Sequence, residues 1–210
     1  TEDGLNAPWG IGGAANSYRY IADASAHKVF KISLEGAVIE SYGTGQAGYQ
    51  DGDATVAMFN TPTDVGRSSG NLYVVDKGNN LIRKITSSGE VSTLSPSGQF
   101  VSPTGIGQTY GAYFYIADEG GHKIYKINRS TGETTTVAGT GTAGYVDGSA
   151  STAQFNSPVA ITVNNNKIYV IDQGNGVIRK IESDNVTTIT GSDQFFDLSD
   201  IAGPRSGWFY

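Results

Sequence analysis

The chain has 210 residues, no cysteine, and 20 acidic against 14 basic residues, for a formal net charge of −6. The missing cysteines exclude a disulfide framework and any thiolate nucleophile or metal ligand, and the acidic balance argues against nucleic acid as a partner, because counterion release needs a basic face. No apolar run approaches the roughly 20 residues of a membrane-spanning helix, so no membrane insertion is expected, and 29 glycines among few charges point to short strands joined by tight turns.

The chain begins at Thr1 rather than Met and reads as a processed product. The first strand is expected in APWGIGG (7–13), glycine-rich and built around a proline. YRYIADASAHKVFKI (18–32) follows as a strand ending at Asp23, a turn holding His27, and a strand ending in Lys-Ile. AVIESYG (37–43) closes this unit, and GTGQAGYQDGDATVAMFN (43–60) forms a long loop. The second unit repeats the order with TPTDVG (61–66), NLYVVDKGNNLIRKI (71–85) and EVSTLS (90–95), without the long loop. The third reads SPTGIG (102–107), YFYIADEGGHKIYKI (113–127) and ETTTVAG (133–139), and regains the loop as GTGTAGYVDGSASTAQFN (139–156). The fourth is SPVAITV (157–163), KIYVIDQGNGVIRKI (167–181) and NVTTITG (185–191). LSDIAGPRSGWFY (198–210) reads as the opening of a fifth unit of the long type, so the sequence is expected to be incomplete or to be continued by another segment or chain.

Four short antiparallel strands make one propeller blade. The strand-end aspartates Asp23, Asp76, Asp118 and Asp172 recur at spacings of 53, 42 and 54, near the 40–50 residues of a blade. The expected fold is all-β, a β-propeller of four-stranded antiparallel blades in one domain over 1–210. Blades are expected at about 5–59, 60–99, 100–155 and 156–197, with a partial blade at 198–210. Long blades carry His27 and His122 in the turn, with Phe30 and Tyr125 in the third strand. Short blades carry Asn80 and Gly176 in the turn, with Arg83 and Arg179 in the strand. The duplicated unit is therefore a pair of unlike blades of about 95 residues, and three such pairs would make a six-bladed ring.

These motifs resemble the NHL repeat, with its post-proline Gly-Ile strand, L-Y-V-A-D strand, G-N-H turn and I-R-K-I strand. The stretch at 138–181 resembles it most closely, and the resemblance covers essentially the whole chain. It implies a propeller but not one function, because NHL propellers include amidating lyases, RNA- and protein-binding domains and surface proteins.

The repeated aspartates are read as turn acceptors, with Gly or Asn in the left-handed position. Asp51, Asp53 and Asp147 lie in Gly-rich loops that lack the alternating acids of a calcium motif. GTGQAG and GTGTAG precede no helix and lack the Lys-Ser/Thr ending of a phosphate loop. His27 and His122 sit at equivalent turns two blades apart and are read as structural rather than as a metal pair. Arg83 and Arg179, with Lys84 and Lys180, are assigned to blade packing and solubility. No Ser-His-Asp arrangement appears, and neither metal nor cofactor is expected. Asn128-Arg129-Ser130 and Asn185-Val186-Thr187 are glycosylation sequons, expected in exposed turns.

The reading that follows is a non-catalytic binding or scaffolding propeller, extracellular or on a cell surface. It would contact protein or glycan through Tyr49 and Asp51 of one long loop and Tyr145 and Asp147 of the other. One alternative is a structural subunit of an extracellular assembly, oligomerising through blade completion. A second is a metal-dependent lyase or lactonase with its site in the channel.

Overall fold

The computed structural model describes residues 5–13, 18–108 and 111–189. The partial blade read at 198–210 lies outside them. The chain divides into two compact units, Thr1–Gln99 and Phe100–Tyr210, and each holds two antiparallel sheets in sequence order. In the first unit, β1 (Pro8–Gly13), β2 (Tyr18–Asp23), β3 (Lys28–Ser33) and β4 (Val38–Tyr42) form one sheet. β5 (Pro62–Ser68), β6 (Asn71–Asp76), β7 (Leu81–Ile85) and β8 (Val91–Thr93) form the other. The second unit repeats this with β9 (Pro103–Gln108), β10 (Tyr113–Asp118), β11 (Lys123–Asn128) and β12 (Thr134–Ala138). Its second sheet holds β14 (Pro158–Asn164), β15 (Lys167–Asp172), β16 (Val177–Glu182) and β17 (Asn185–Thr188), and the short β13 (Gly148–Ser149) adds to the outer edge. These four-stranded meanders are the blades of a β-propeller.

Period-2 patterning explains the strands. In β6, Leu72, Val74 and Asp76 share one face and Tyr73 and Val75 the other, all buried, and Leu72 and Val74 pack against the first blade. Every first strand carries a bulge at the residue after its proline. Pro8 pairs with Asp23 and Gly10 with Ala22, leaving Trp9 as the extra residue, and Thr63, Thr104 and Val159 hold the same place.

Within each unit the two sheets pack face to face. In the first unit Tyr20, Val29 and Tyr42 meet Val65, Leu72, Val74, Ile85 and Val91, and the long loop adds Ala57 and Phe59. In the second unit Ala117, Ile124 and Ala138 meet Ile161, Ile168, Val170, Ile181 and Val186, with Ala150, Ala153 and Phe155 from the loop. The closest approach is between first strands. A Cβ on Gly10 would lie 2.5 Å from the Thr63 carbonyl oxygen, and one on Gly12 would collide with the Val65 carbonyl. Glycine is required there by space, not by backbone angle.

The long loops reach past the core to the outer strand of the following blade. Gly52 exchanges backbone hydrogen bonds with Val91 at 3.0 and 2.7 Å, and Gly148 and Ser149 pair with Val186 and Asn185. Each loop thereby covers an edge that would otherwise present unpaired backbone groups.

Overpacking the glycine contact sets a test of this architecture. Gly12→Ala is expected to lower the free energy of urea unfolding by about 1–3 kcal/mol. Gln46→Ala, at an exposed loop position, should stay within about 0.5 kcal/mol of the parent. A Gly12→Ala chain as stable as the parent would show that the two first strands yield without cost.

Candidate functional site

The strand-end aspartates are completely buried and tie together three parts of each blade. Asp23 accepts from Ala26 N–H in its own turn at 2.9 Å, and from Asn6 and Ala7 N–H ahead of the first strand at 2.6 and 3.0 Å. Asp118 likewise accepts from Val101 and Ser102 N–H. In the short blades the turn contribution is a side chain. Asn79 Nδ2 donates to Asp76 and Asn175 Nδ2 to Asp172, both at 2.8 Å, while Asn60 and Asn156 N–H donate from ahead of the first strand at 2.7 Å. The aspartates therefore do more than terminate a turn: each also anchors the entry to its own blade.

The short-blade aspartates carry a further partner. Arg83 and Arg179 are fully buried and so contribute nothing to solubility, in contrast to that part of the sequence expectation. Arg83 Nη1 donates to Asp76 (2.9 Å) and to the Met58 carbonyl (3.0 Å), and Nη2 donates to the Gln50 carbonyl (2.8 Å) and to Asp51 (2.5 Å). Arg179 repeats this with Asp172, the Gln154 and Val146 carbonyls and Asp147, and its Nε also reaches Asp147 at 3.1 Å. Arg83 Nε has no such acceptor among the described residues. The guanidinium of Arg83 lies over the rings of Tyr49 and Phe59 at 5.1 and 5.3 Å. That of Arg179 lies over Tyr145 and Phe155 at 5.3 and 5.0 Å. One buried cation thus holds each long loop onto the following blade.

This geometry locates the residues singled out from sequence. Tyr49 and Tyr145 remain 58% and 56% exposed, so each ring turns one face to Arg and another to solvent. Asp51 and Asp147 are loop fasteners, since beyond the arginine they accept from the N–H and hydroxyl of Thr93 and Thr188. Asp53 accepts from its neighbour Thr55. No group of three or more His, Asp or Glu suited to a metal ion occurs among the described residues. His27 and His122 take the left-handed conformation, φ 53° and 52°, that the long blades were expected to give to Gly or Asn. The reason is a bond out of the turn: Nδ1 of each accepts, at 3.1 Å, from the N–H of Thr61 or Ser157 in the next blade. Asn128 ends β11 and its side-chain oxygen accepts from Ser130 N–H, while Asn185 opens β17 and is exposed.

Burial pushes the carboxyls of Asp76 and Asp172 up, against the hydrogen bonds from the turn asparagine, the entry N–H and the arginine. Asp147 is only partly buried, and the bonds from Thr188 and Arg179 outweigh its desolvation and hold its carboxyl below the usual range.

A separate feature was not singled out from sequence. Trp9, 64% exposed, lines a cleft of about 470 Å³ with Ala24, Ser25, His27, Thr61, Thr63 and Lys77. The one available signal was a tryptophan in a first strand where the other blades have Thr or Val.

No family model matches the chain. Protein SUPPRESSOR OF QUENCHING 1, chloroplastic, from Arabidopsis thaliana is 26% identical over 209 residues, covering 87% of this chain and 20% of that protein. NHL repeat-containing protein 2 from Gallus gallus is 41% identical over 83 residues, 39% of this chain and 11% of that protein. The chain thus spans a fifth or less of the curated relatives it matches. Among solved structures, a streptogramin B lyase superposes with a TM-score of 0.66 at 15% identity, covering 88% of this chain and 55% of that one. A virginiamycin B lyase from Staphylococcus aureus with quinupristin gives 0.64 at 18%, covering 89% and 56%.

The arginine cluster yields a pH-resolved test. Arg179→Met leaves Asp172 buried without its cation and should cost about 3–5 kcal/mol near neutral pH. Asp172 is protonated more readily in the folded chain than in the unfolded one, so its ionisation opposes folding and its contribution improves as pH falls. The Asp147 contribution runs the other way, being present above the ordinary carboxylate range and lost on acidification. The deficit of Arg179→Met relative to the parent is therefore expected to shrink between pH 7 and pH 5 in urea titrations, and a deficit independent of pH would contradict the assignment.

Proposed function

From a chain built of NHL-type β-propeller blades we propose a non-catalytic binding module, which contacts a protein partner through the two long loops. The observation that carries this reading is the pair of exposed tyrosines, Tyr49 and Tyr145, at equivalent places in loops 43–60 and 139–156. An exposed aromatic ring is an effective anchor when it is already held in its bound position, since little side-chain entropy remains to be lost. The arginine beneath each ring, the Asp51 and Asp147 links, and the bond from Tyr49 to Thr93 Oγ1 at 3.1 Å supply that hold. The carboxylates that chemistry at these loops would need are already engaged by arginine and threonine.

The likeness to lyases stands at 15–18% identity, which reaches the fold and not the reaction. A stoichiometric metal in the full protein together with turnover of quinupristin would overturn the non-catalytic reading.

An extracellular or surface location belongs to the same proposal and is supported by the two sequons at Asn128 and Asn185. The competing location is the chloroplast given in the plant relative's name. A loss of mass on N-glycosidase treatment of the protein from its native source supports the first; an unchanged mass favours the second.

The binding surface is tested with partners recovered by crosslinking from the native source and remeasured with purified components. Tyr49→Ala with Tyr145→Ala should weaken a specific complex by about tenfold or more. Tyr→Phe at both positions should keep most of the affinity, because the ring face is retained. A complex indifferent to the double alanine variant would place the contact elsewhere.

A further inference from the structure

We infer that the cleft beside Trp9 is a saccharide-binding subsite, distinct from the long-loop tyrosines. The argument starts from the bulge that opens every first strand. A bulged residue is released from strict alternation, so its side chain can be aimed independently of the sheet face. Three of the four bulge residues are put into protein: Thr63, Thr104 and Val159 are 4%, 6% and 8% exposed. The fourth, Trp9, carries the largest side chain of the set and is 64% exposed.

The surroundings of Trp9 set the chemistry. Ser25 and Thr61 bring hydroxyls and His27 an imidazole, and no carboxylate lines the cleft among the described residues. His27 is held by accepting from Thr61 N–H through Nδ1 at 3.1 Å, which leaves Nε2 as the protonated donor of the neutral ring. Thr61 Oγ1 donates to Asn60 Oδ1 at 3.3 Å, so its oxygen keeps acceptor capacity. A flat indole beside a cluster of hydroxyl-scale donors and acceptors matches a pyranose, which has an apolar C–H face and a polar rim. The volume of about 470 Å³ falls within the roughly 300–1,000 Å³ of small-ligand clefts.

The second blade pair supplies an internal comparison. The residues that hold the blades together are kept there: His27 corresponds to His122, Arg83 to Arg179, Asp51 to Asp147. Of the cleft residues, His27 is kept and Thr61 is matched by Ser157, while the other five differ. Thr104 stands for Trp9, Glu119 for Ala24, Gly120 for Ser25, Val159 for Thr63 and Gln173 for Lys77. Glu119 accepts from the Thr104 hydroxyl at 3.1 Å, so the second pair closes on itself where the first presents an indole. The divergence falls outside the arginine clusters.

Intrinsic fluorescence tests the assignment, because the sequence holds two tryptophans, Trp9 and Trp208. Trp208→Phe leaves Trp9 as the single reporter in the full chain. Cellotriose, tri-N-acetylchitotriose and trigalacturonic acid are titrated separately, covering neutral, acetamido and acidic sugars. A saturable shift of Trp9 emission with at least one of them, with protection from acrylamide quenching, is expected. Trp9→Ala should weaken that binding, followed by calorimetry, by about tenfold or more, and Trp9→Phe should restore much of it. Tyr49→Ala with Tyr145→Ala should leave it unchanged, so this subsite and the long-loop surface fail or survive separately. The exposed position of Trp9 makes misfolding of the alanine variant improbable, and an unchanged thermal transition checks it. No saturable response to any of the three sugars, or binding retained by Trp9→Ala, overturns the assignment.

Discussion

One buried guanidinium per blade pair determines how the rest of each unit is arranged. Arg83 and Arg179 each sit between a wholly buried strand-end aspartate and a loop aspartate that is partly open to water, 43% and 47% exposed at the side chain. Burying a charge in this way costs several kcal/mol unless geometry returns it. Here the return comes from the planar fork of arginine, whose donors reach two carboxylates and two loop carbonyls at once, and from the aromatic faces beside it. Lysine has the charge but not the fork. Removing either partner is costly, so the arrangement specifies the register of a loop more than it adds net stability.

The functional consequence is rigidity where a loop would ordinarily be mobile. Segments 43–60 and 139–156 are long, rich in glycine and mostly without regular structure. Each is nonetheless fixed at three levels: its phenylalanine and alanines enter the core, its backbone pairs with an outer strand, and its tyrosine and aspartate close over the arginine. The tyrosine therefore serves as a packing element on one face and as a presented surface on the other.

A repeat separates two kinds of constraint within one molecule. Positions that hold blades together must be the same in both pairs, because the same contacts recur. Positions that differ while remaining exposed are free of that demand. Trp9 belongs to the second kind, and its neighbour Gly10 to the first, since a Cβ there meets the Thr63 carbonyl. Adjacent residues on one strand thus answer to packing and to the surface respectively.

The strands, the blade unit and the alternation of long and short blades were legible in the sequence, because period-2 patterning, turn chemistry and internal repetition are local properties of the chain. The strand-end aspartates were recognisable for the same reason. Their second set of partners was not, since Asn60 and Asn156 lie 16 residues earlier. The arginine clusters left a trace, a Tyr-x-Asp recurring with an Arg 32 positions after the Asp. The sequence reading assigned them to blade packing and solubility together, and only tertiary packing decided that they are buried, because nothing local reveals which face of a strand another blade will cover. The same holds at the cleft. The sequence determined that a tryptophan follows the first proline, and the fold decided that it stays exposed where its three counterparts are enclosed.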